Sequence, residues 1–306
     1  MPEEGIRYLP KNEVLTQDEI IHLVTILASM GISKVRLTGG EPFVRGDLMD
    51  IIRAIVKIPG VDDLHLTTNG VLTAKHVPEL KRLGIASVNL SLDTLDRDRF
   101  KAITRRDDFD EVVKTYSMLL ANLIPLKINA VVMDEKNIDD IVPLIELTKR
   151  HALSVRFIEE MPFNGEGNHY PTLTWNATKI LDYITQHYPN IYKIDDAENS
   201  TAYHYAIPGH RGNIGIIAAF SRTFCGTCNR IRITAQGDLK TCLYDDGVLN
   251  IKSLLRSNQH DEKIKVELLK AFGARPLDGF EAERKRKDHL PVHESMSTIT
   301  LNNFTH

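Results

Sequence analysis

Residues 34–42 read KVRLTGGEP. A β-rich run ends here in two glycines, a glutamate and a proline. Gly39 and Gly40 let a backbone approach a ligand closely, and Glu41 puts a carboxylate at the mouth of the strand. A carboxylate beside open carbonyls suits an ammonium group better than a phosphate. The plain alternative is a βα turn in which Pro42 opens a helix. The pattern decides the fold because it recurs. Further β-rich runs at 64–68, 87–92, 126–133 and 154–158 are matched by polar strand ends at Thr67-Thr68-Asn69, Ser91 with Asp93, and Glu159-Glu160.

Between these runs the apolar residues take helical spacing. Ile20, Ile21, Val24, Leu27 and Met30 share one face, and Thr16 with Glu19 predicts a capping box at its start. Leu48, Ile51, Ile52 and Ile55 mark a second helix. Val112, Val113, Tyr116, Leu119 and Leu120 mark a third, and Ile138, Ile141, Val142, Ile145 and Leu147 a fourth. Strands alternating with helices imply parallel βαβ units, and the strands are expected to be apolar on both faces. No G-x-G-x-x-G follows any strand, which argues against a dinucleotide-binding sheet. Polar residues at successive strand ends favour a partial or full β/α barrel.

Composition narrows the function. The chain has 306 residues, 42% hydrophobic and 26% charged, with a net charge of −3. That balance predicts no general attraction to nucleic acid, and no apolar run is long enough to span a membrane. The N-terminal stretch lacks a signal pattern, so a cytoplasmic protein is expected.

After about Pro162 the texture changes. FNGEGNHYPT at 163–172 reads as a loop, and 175–187 as one helix. Shorter β-like pieces follow at 202–207, 213–218 and 230–234. The basic run at 284–287 reads as a solvated face, and the tail LNNFTH as frayed.

All three cysteines fall in FCGTCNRIRITAQGDLKTC, residues 224–242, with the spacing C-x2-C-x13-C. Cys225 and Cys228 can bind one metal centre from a single turn, and Cys242 returns after a bend at Gly237-Asp238. A structural zinc, a catalytic zinc with an open position, and a three-thiolate [4Fe–4S] cluster all satisfy the spacing. For a fourth position, His204 and His210 lie upstream without the short spacing of zinc modules, and the LYDDG following Cys242 offers only Asp245 and Asp246. Arg222, Arg230, Arg232 and Lys240 crowd the same segment. Such guanidinium forks suit a phosphate-rich ligand, although they also offset thiolate charge.

Taken in order, LTGGEP, LTTNG, SVNLSLD, LKINAVVM, RFIEEMP and CGTCNRIRITAQGDLKTC resemble the GTP 3′,8-cyclases of molybdenum cofactor biosynthesis, a radical S-adenosylmethionine family. The resemblance covers nearly the whole chain. The strand pattern and the change of texture place a partial β/α barrel over 1–164 and a smaller α+β region over 165–306, and the resemblance puts the cysteine cluster and a GTP site in the latter. It further implies that Gly40, Glu41, Ser91 and Met161 contact S-adenosylmethionine. Arg36, Thr67, Lys127, Arg230 and Arg232 are implied to bind GTP. Cys225, Cys228 and Cys242 would hold a [4Fe–4S] cluster whose open iron takes the guanine base. A downstream enzyme of the same pathway is the implied partner.

Two departures follow. The family places a C-x3-C-x2-C segment, which holds another [4Fe–4S] cluster, directly before the residues matching MPEEG, and this sequence starts at that methionine. A shortened chain, lacking the first barrel strand and inactive alone, is the expectation. Its exposed sheet edge would need cover, for which a homodimer is one answer. The family's terminal glycine pair is also replaced by MSTITLNNFTH. Two other readings compete: a non-catalytic nucleotide-binding protein with structural zinc, and a metal-dependent aldolase-like barrel.

Overall fold

The computed structural model describes residues 9–161, 173–223, 225–257, 259–285 and 297–302. The segments MPEEG and FNGEGNHYPT, and residues 286–287 of the basic run, lie outside the described residues. In chain order the first half runs α1 (Gln17–Ser29), β1 (Lys34–Leu37), α2 (Leu48–Ile55), β2 (Asp63–Thr68), α3 (Val77–Arg82) and β3 (Ser87–Ser91). Then come α4 (Arg97–Thr104), α5 (Phe109–Ala121), β4 (Leu126–Val132), α6 (Ile141–Arg150) and β5 (Ser154–Glu159). The second half contains α7 (Ala177–His187), β6 (Tyr192–Lys193), β7 (Tyr203–Ala206), β8 (Asn213–Ile217), β9 (Ile231–Thr234) and β10 (Asp238–Lys240). It continues with β11 (Leu249–Asn250), α8 (Ile251–Arg256), α9 (Asp261–Gly273), α10 (Gly279–Arg284) and β12 (Ser297–Asn302).

The chain divides into two compact units. The first includes Thr68–Lys81 and Ser87–Cys228, the second residues 9–67, Arg82–Ala86 and the described residues from Asn229 onward. In the first unit β3, β4, β5 and β8 form a parallel run, continued by antiparallel β7 and β6. Val88, Leu90, Ile128, Ala130, Val155, Phe157, Ile214 and Ile216 are buried on one face of that run. The other face is polar. Asn89, Lys127, Ser154 and Asn213 are successive register partners, as are Ser91, Asn129, Arg156 and Gly215. The expectation of strands apolar on both faces is therefore corrected: period-two alternation puts every second residue on this polar face.

In the second unit β1 and β2 are parallel, and α1 packs on α2, α8 and α9. Ile20, Leu23, Leu27, Ile51, Ile52 and Ile55 form its helical core. The capping box at Thr16 and Glu19 is present, with both reciprocal hydrogen bonds made. Arg256 grips Glu19 through two nitrogens and also donates to the carbonyls of Asn12 and Val14.

The tail corrects two expectations. Residues 301–302 belong to β12, which lies antiparallel between β1 and β9; residues 303–306 are outside the described residues. The run STITLN is β-branched and alternating, so it satisfies the ladder that a frayed end would forgo. The edge of β1 that seemed to need a partner is thus paired by this chain's own strand.

Candidate functional site

Each predicted residue can be placed within its own unit. In the second unit Arg36 lies in β1 and Thr67 in β2, with the guanidinium Nη1 3.5 Å from the threonine Oγ1. Thr300 of β12 is the register partner of Arg36 on one side and of Arg232 on the other, and Arg232 is in turn opposite Lys240 of β10. Cross-strand partners share a face, so Arg36, Arg232 and Lys240 form one cationic row. Arg232 is half-buried and Lys240 is buried. Arg230 precedes β9 by one residue, on the side of Arg232 by alternation. An anion placed on that face would meet all three cations. Sequence reading named Arg36 and Arg232 separately but missed their shared row, because β12 between them reads as a tail.

Gly40 follows β1 in an exposed bend, and a side-chain carbon added there would meet nothing within 4 Å. Glu41 is half-buried, and its Oε1 accepts the Phe43 N–H at 3.1 Å, capping the 3-10 turn Pro42–Val44. That carboxylate therefore has a structural task at the strand mouth.

In the first unit Ser91 is the exposed last residue of β3, and Met161 is half-buried just past β5. Lys127 sits on the polar face described above. On the same face the side-chain oxygens of Asn89, Asn129, Ser154 and Asn213 are buried without a hydrogen-bond partner among the described residues. Buried acceptors are normally satisfied, which makes this polar face a candidate for contact with a polar ligand. These residues escaped the sequence reading, although Lys127 with Asn129 and Ser154 with Arg156 carry its period-two signal. Beyond Ser91, Asp93 accepts the Val131 N–H at 2.8 Å. Burial pushes its carboxyl up to about 6, against that hydrogen bond and with help from the Asp140 charge. Asp140 is itself held by Thr94 and Arg99.

Cys225 and Cys228 belong to the first unit, where Cys225 opens the 3-10 turn Cys225–Thr227; Cys242 belongs to the second. All three are half-buried, and none is in a disulfide. Among the described residues, no three His, Cys, Asp or Glu side chains are gathered around one point for a metal ion. The donor chemistry, three thiols and no disulfide, fits an iron–sulfur cluster. Asp245 does not supply a fourth donor. Its Oδ2 accepts from Thr241 N, Thr241 Oγ1 and Cys242 N at 2.8, 3.1 and 2.7 Å, and its Oδ1 accepts from Gly247 N at 3.0 Å. Among the described residues no helix is long and apolar enough to cross a membrane.

Comparison with known proteins gives two family matches. Residues 3–148 match the radical SAM superfamily, and residues 153–280 match Molybdenum Cofactor Synthesis C. The superfamily implies S-adenosylmethionine and a [4Fe–4S] cluster. The GTP 3′,8-cyclase of Syntrophomonas wolfei is 39% identical over 299 residues, covering 94% of this chain and 90% of that protein. The mitochondrial GTP 3′,8-cyclase of Arabidopsis thaliana is 36% identical, covering 97% and 74%. Molybdenum cofactor biosynthesis protein 1 of Bos taurus is 38% identical over 94% of this chain, which spans only 44% of that relative. Of solved structures, Streptococcus suis SuiB bound to S-adenosylmethionine superposes with a TM-score of 0.59 at 16% identity, covering 92% of this chain and 65% of SuiB. That likeness concerns the α/β fold alone. The expectation of an inactive chain finds no support in these matches. On the strength of the two cyclases, the chain belongs to the GTP 3′,8-cyclase family of radical SAM proteins.

Proposed function

We propose that this chain binds GTP and acts as a GTP 3′,8-cyclase in molybdenum cofactor biosynthesis. The observation that supports this most is the row of Arg36, Arg232 and Lys240 across adjacent strands, with Thr67 beside Arg36. Three aligned cations on a half-buried face suit a triphosphate, because each guanidinium fork offers parallel donors to phosphate oxygens. Arg230 extends the row; Lys127, on the polar face of the first unit, is the further GTP contact that the family resemblance implies.

Cys225, Cys228 and Cys242 are the residues that would hold the cluster. Gly40, Glu41, Ser91 and Met161 are the residues that would hold S-adenosylmethionine, the Glu41 carboxylate being suited to its ammonium group. When bound, the cluster and S-adenosylmethionine supply the radical chemistry, while these side chains orient the nucleotide and keep water from the reacting atoms. A partial β/α barrel is the architecture we infer for the parallel strands.

The test is anaerobic reconstitution with iron and sulfide, followed by metal analysis and calorimetric titration with GTP. The expected result is about four irons per chain in the cysteine cluster, with GTP binding that weakens in Arg232→Ala. One zinc per chain without sulfide, or equal GTP affinity in the variant, would overturn the proposal.

A further inference from the structure

Two carboxylates outside the ligand set each touch a segment that bears a cysteine. In the second unit Asp245 gathers four donors, including the Cys242 N–H at 2.7 Å, and thereby folds residues 241–247 around itself. It is buried, and a carboxylate has about four lone-pair sites, so these bonds use its capacity. Gly247 follows with φ of +100°, a conformation the tight return needs.

In the first unit Glu159 ends β5 on its helix-facing side and is fully buried. Its Oε1 accepts from Ala177 N at 2.7 Å and Ser221 Oγ at 2.8 Å, while its Oε2 accepts from Ser221 N at 2.7 Å. Ala177 is the first residue of α7, so the negative charge also meets the favourable end of that helix. From Ser221 a series of turns leads to the thiols. Arg222 N bonds to Ala218 O at 2.8 Å, Cys225 N to Arg222 O at 3.2 Å, and Cys228 N to Cys225 O at 3.2 Å.

We propose that Asp245 and Glu159 are positioning residues for the cysteine centre, each fixing the backbone from which thiolates project. The inference rests on the reading that the three thiols bind a cluster. Neither carboxylate is a ligand; each holds main-chain N–H groups, so that a cysteine's direction is set before metal arrives. Outer-shell partners of this kind typically change metal affinity by about 10–100-fold when removed.

The experiment compares Asp245→Asn and Glu159→Gln with the unsubstituted chain after anaerobic reconstitution. Each amide keeps the shape but turns one acceptor oxygen into a donor facing an N–H. Iron and sulfide content, visible absorption, the low-temperature spin signature and resistance to a chelator are measured, with circular dichroism as the check on folding. Iron retention about tenfold weaker, with a shifted spectrum and an intact fold, is expected for both. Thr241→Val, which removes only a hydroxyl donor, is expected to load normally. The inference is overturned if the folded amide variants retain cluster and spectrum unchanged, if Thr241→Val loses as much, or if the amide variants unfold. An unsubstituted chain that takes up no iron and sulfide would instead overturn the cluster reading.

Discussion

The Arg36 guanidinium reaches the Thr67 hydroxyl from the neighbouring parallel strand, two residues beyond its register partner His65. At 3.5 Å this contact is at the limit of a hydrogen bond and orients the side chain more than it stabilises it. The orientation matters because Arg36 stands in line with Arg232 and Lys240.

Removing either arginine should therefore cost GTP affinity. A hydrogen bond to a charged group contributes about 1.5–3 kcal/mol, so Arg36→Ala and Arg232→Ala should each weaken binding by roughly 10–150-fold. Calorimetry at two salt concentrations checks this. The unsubstituted chain should lose affinity more steeply with salt than either variant, since fewer charges then meet the triphosphate.

Asp93 should make stability depend on mild acidity. Its native carboxyl titrates at about 6, raised above the unfolded value chiefly by burial. Between about pH 4 and 6 the native state therefore holds more protons than the unfolded chain, and stability falls as pH rises through that window. Asp93→Asn keeps an acceptor for the Val131 N–H and should flatten this part of the profile. Denaturant unfolding at a series of pH values decides it; an equally steep slope in the Asp93→Asn variant would refute the assignment.

Gly70 in the LTTNG stretch should tolerate no side chain. Its φ is +85°, and an added Cβ would lie 2.6 Å from Leu90 Cδ1 and 3.4 Å from Val112 Cγ1. Gly70→Ala should cost at least about 2 kcal/mol, from backbone strain and crowding together. Gly84 also has positive φ, at +74°, but nothing lies within 4 Å of the position a methyl would take there. Gly84→Ala should lose less, and comparing the two melting temperatures separates crowding from strain.

Thr16→Ala should lower stability by about 1 kcal/mol through loss of one half of the capping box. Thr16→Ser, which keeps the hydroxyl, should restore most of it in the same thermal melts.

Much of this was legible in the residues. The helix-forming spacing at Leu48, Ile51, Ile52 and Ile55 gives α2 directly, since all four are buried. The capping box and the strands β7, β8 and β9 lie where turn chemistry and β-branched runs put them. The polar face of the first unit was obscured because runs such as LKINAVVM look apolar when read as a block. Their alternation becomes decisive only when neighbouring strands supply Ser154 and Asn213 in register. Asp245 could be noticed as a carboxylate near Cys242, but not assigned, because its role depends on the fold of the turn and not on its spacing. The link from Arg36 to Arg232 was invisible for a different reason: it runs through Thr300, and the β-branched pattern of STITLN does not say which distant strands it will pair with.

That last link has a consequence for the order of events during synthesis. β1 and β9 are joined only through β12, so a growing chain that has made both arginine-bearing strands still lacks the strand that sets them side by side. Long-range pairing of this kind closes late, after a large loop has been searched. On the proposed nucleotide reading, the two arginines would line up for a triphosphate only once residues 297–302 have paired between their strands.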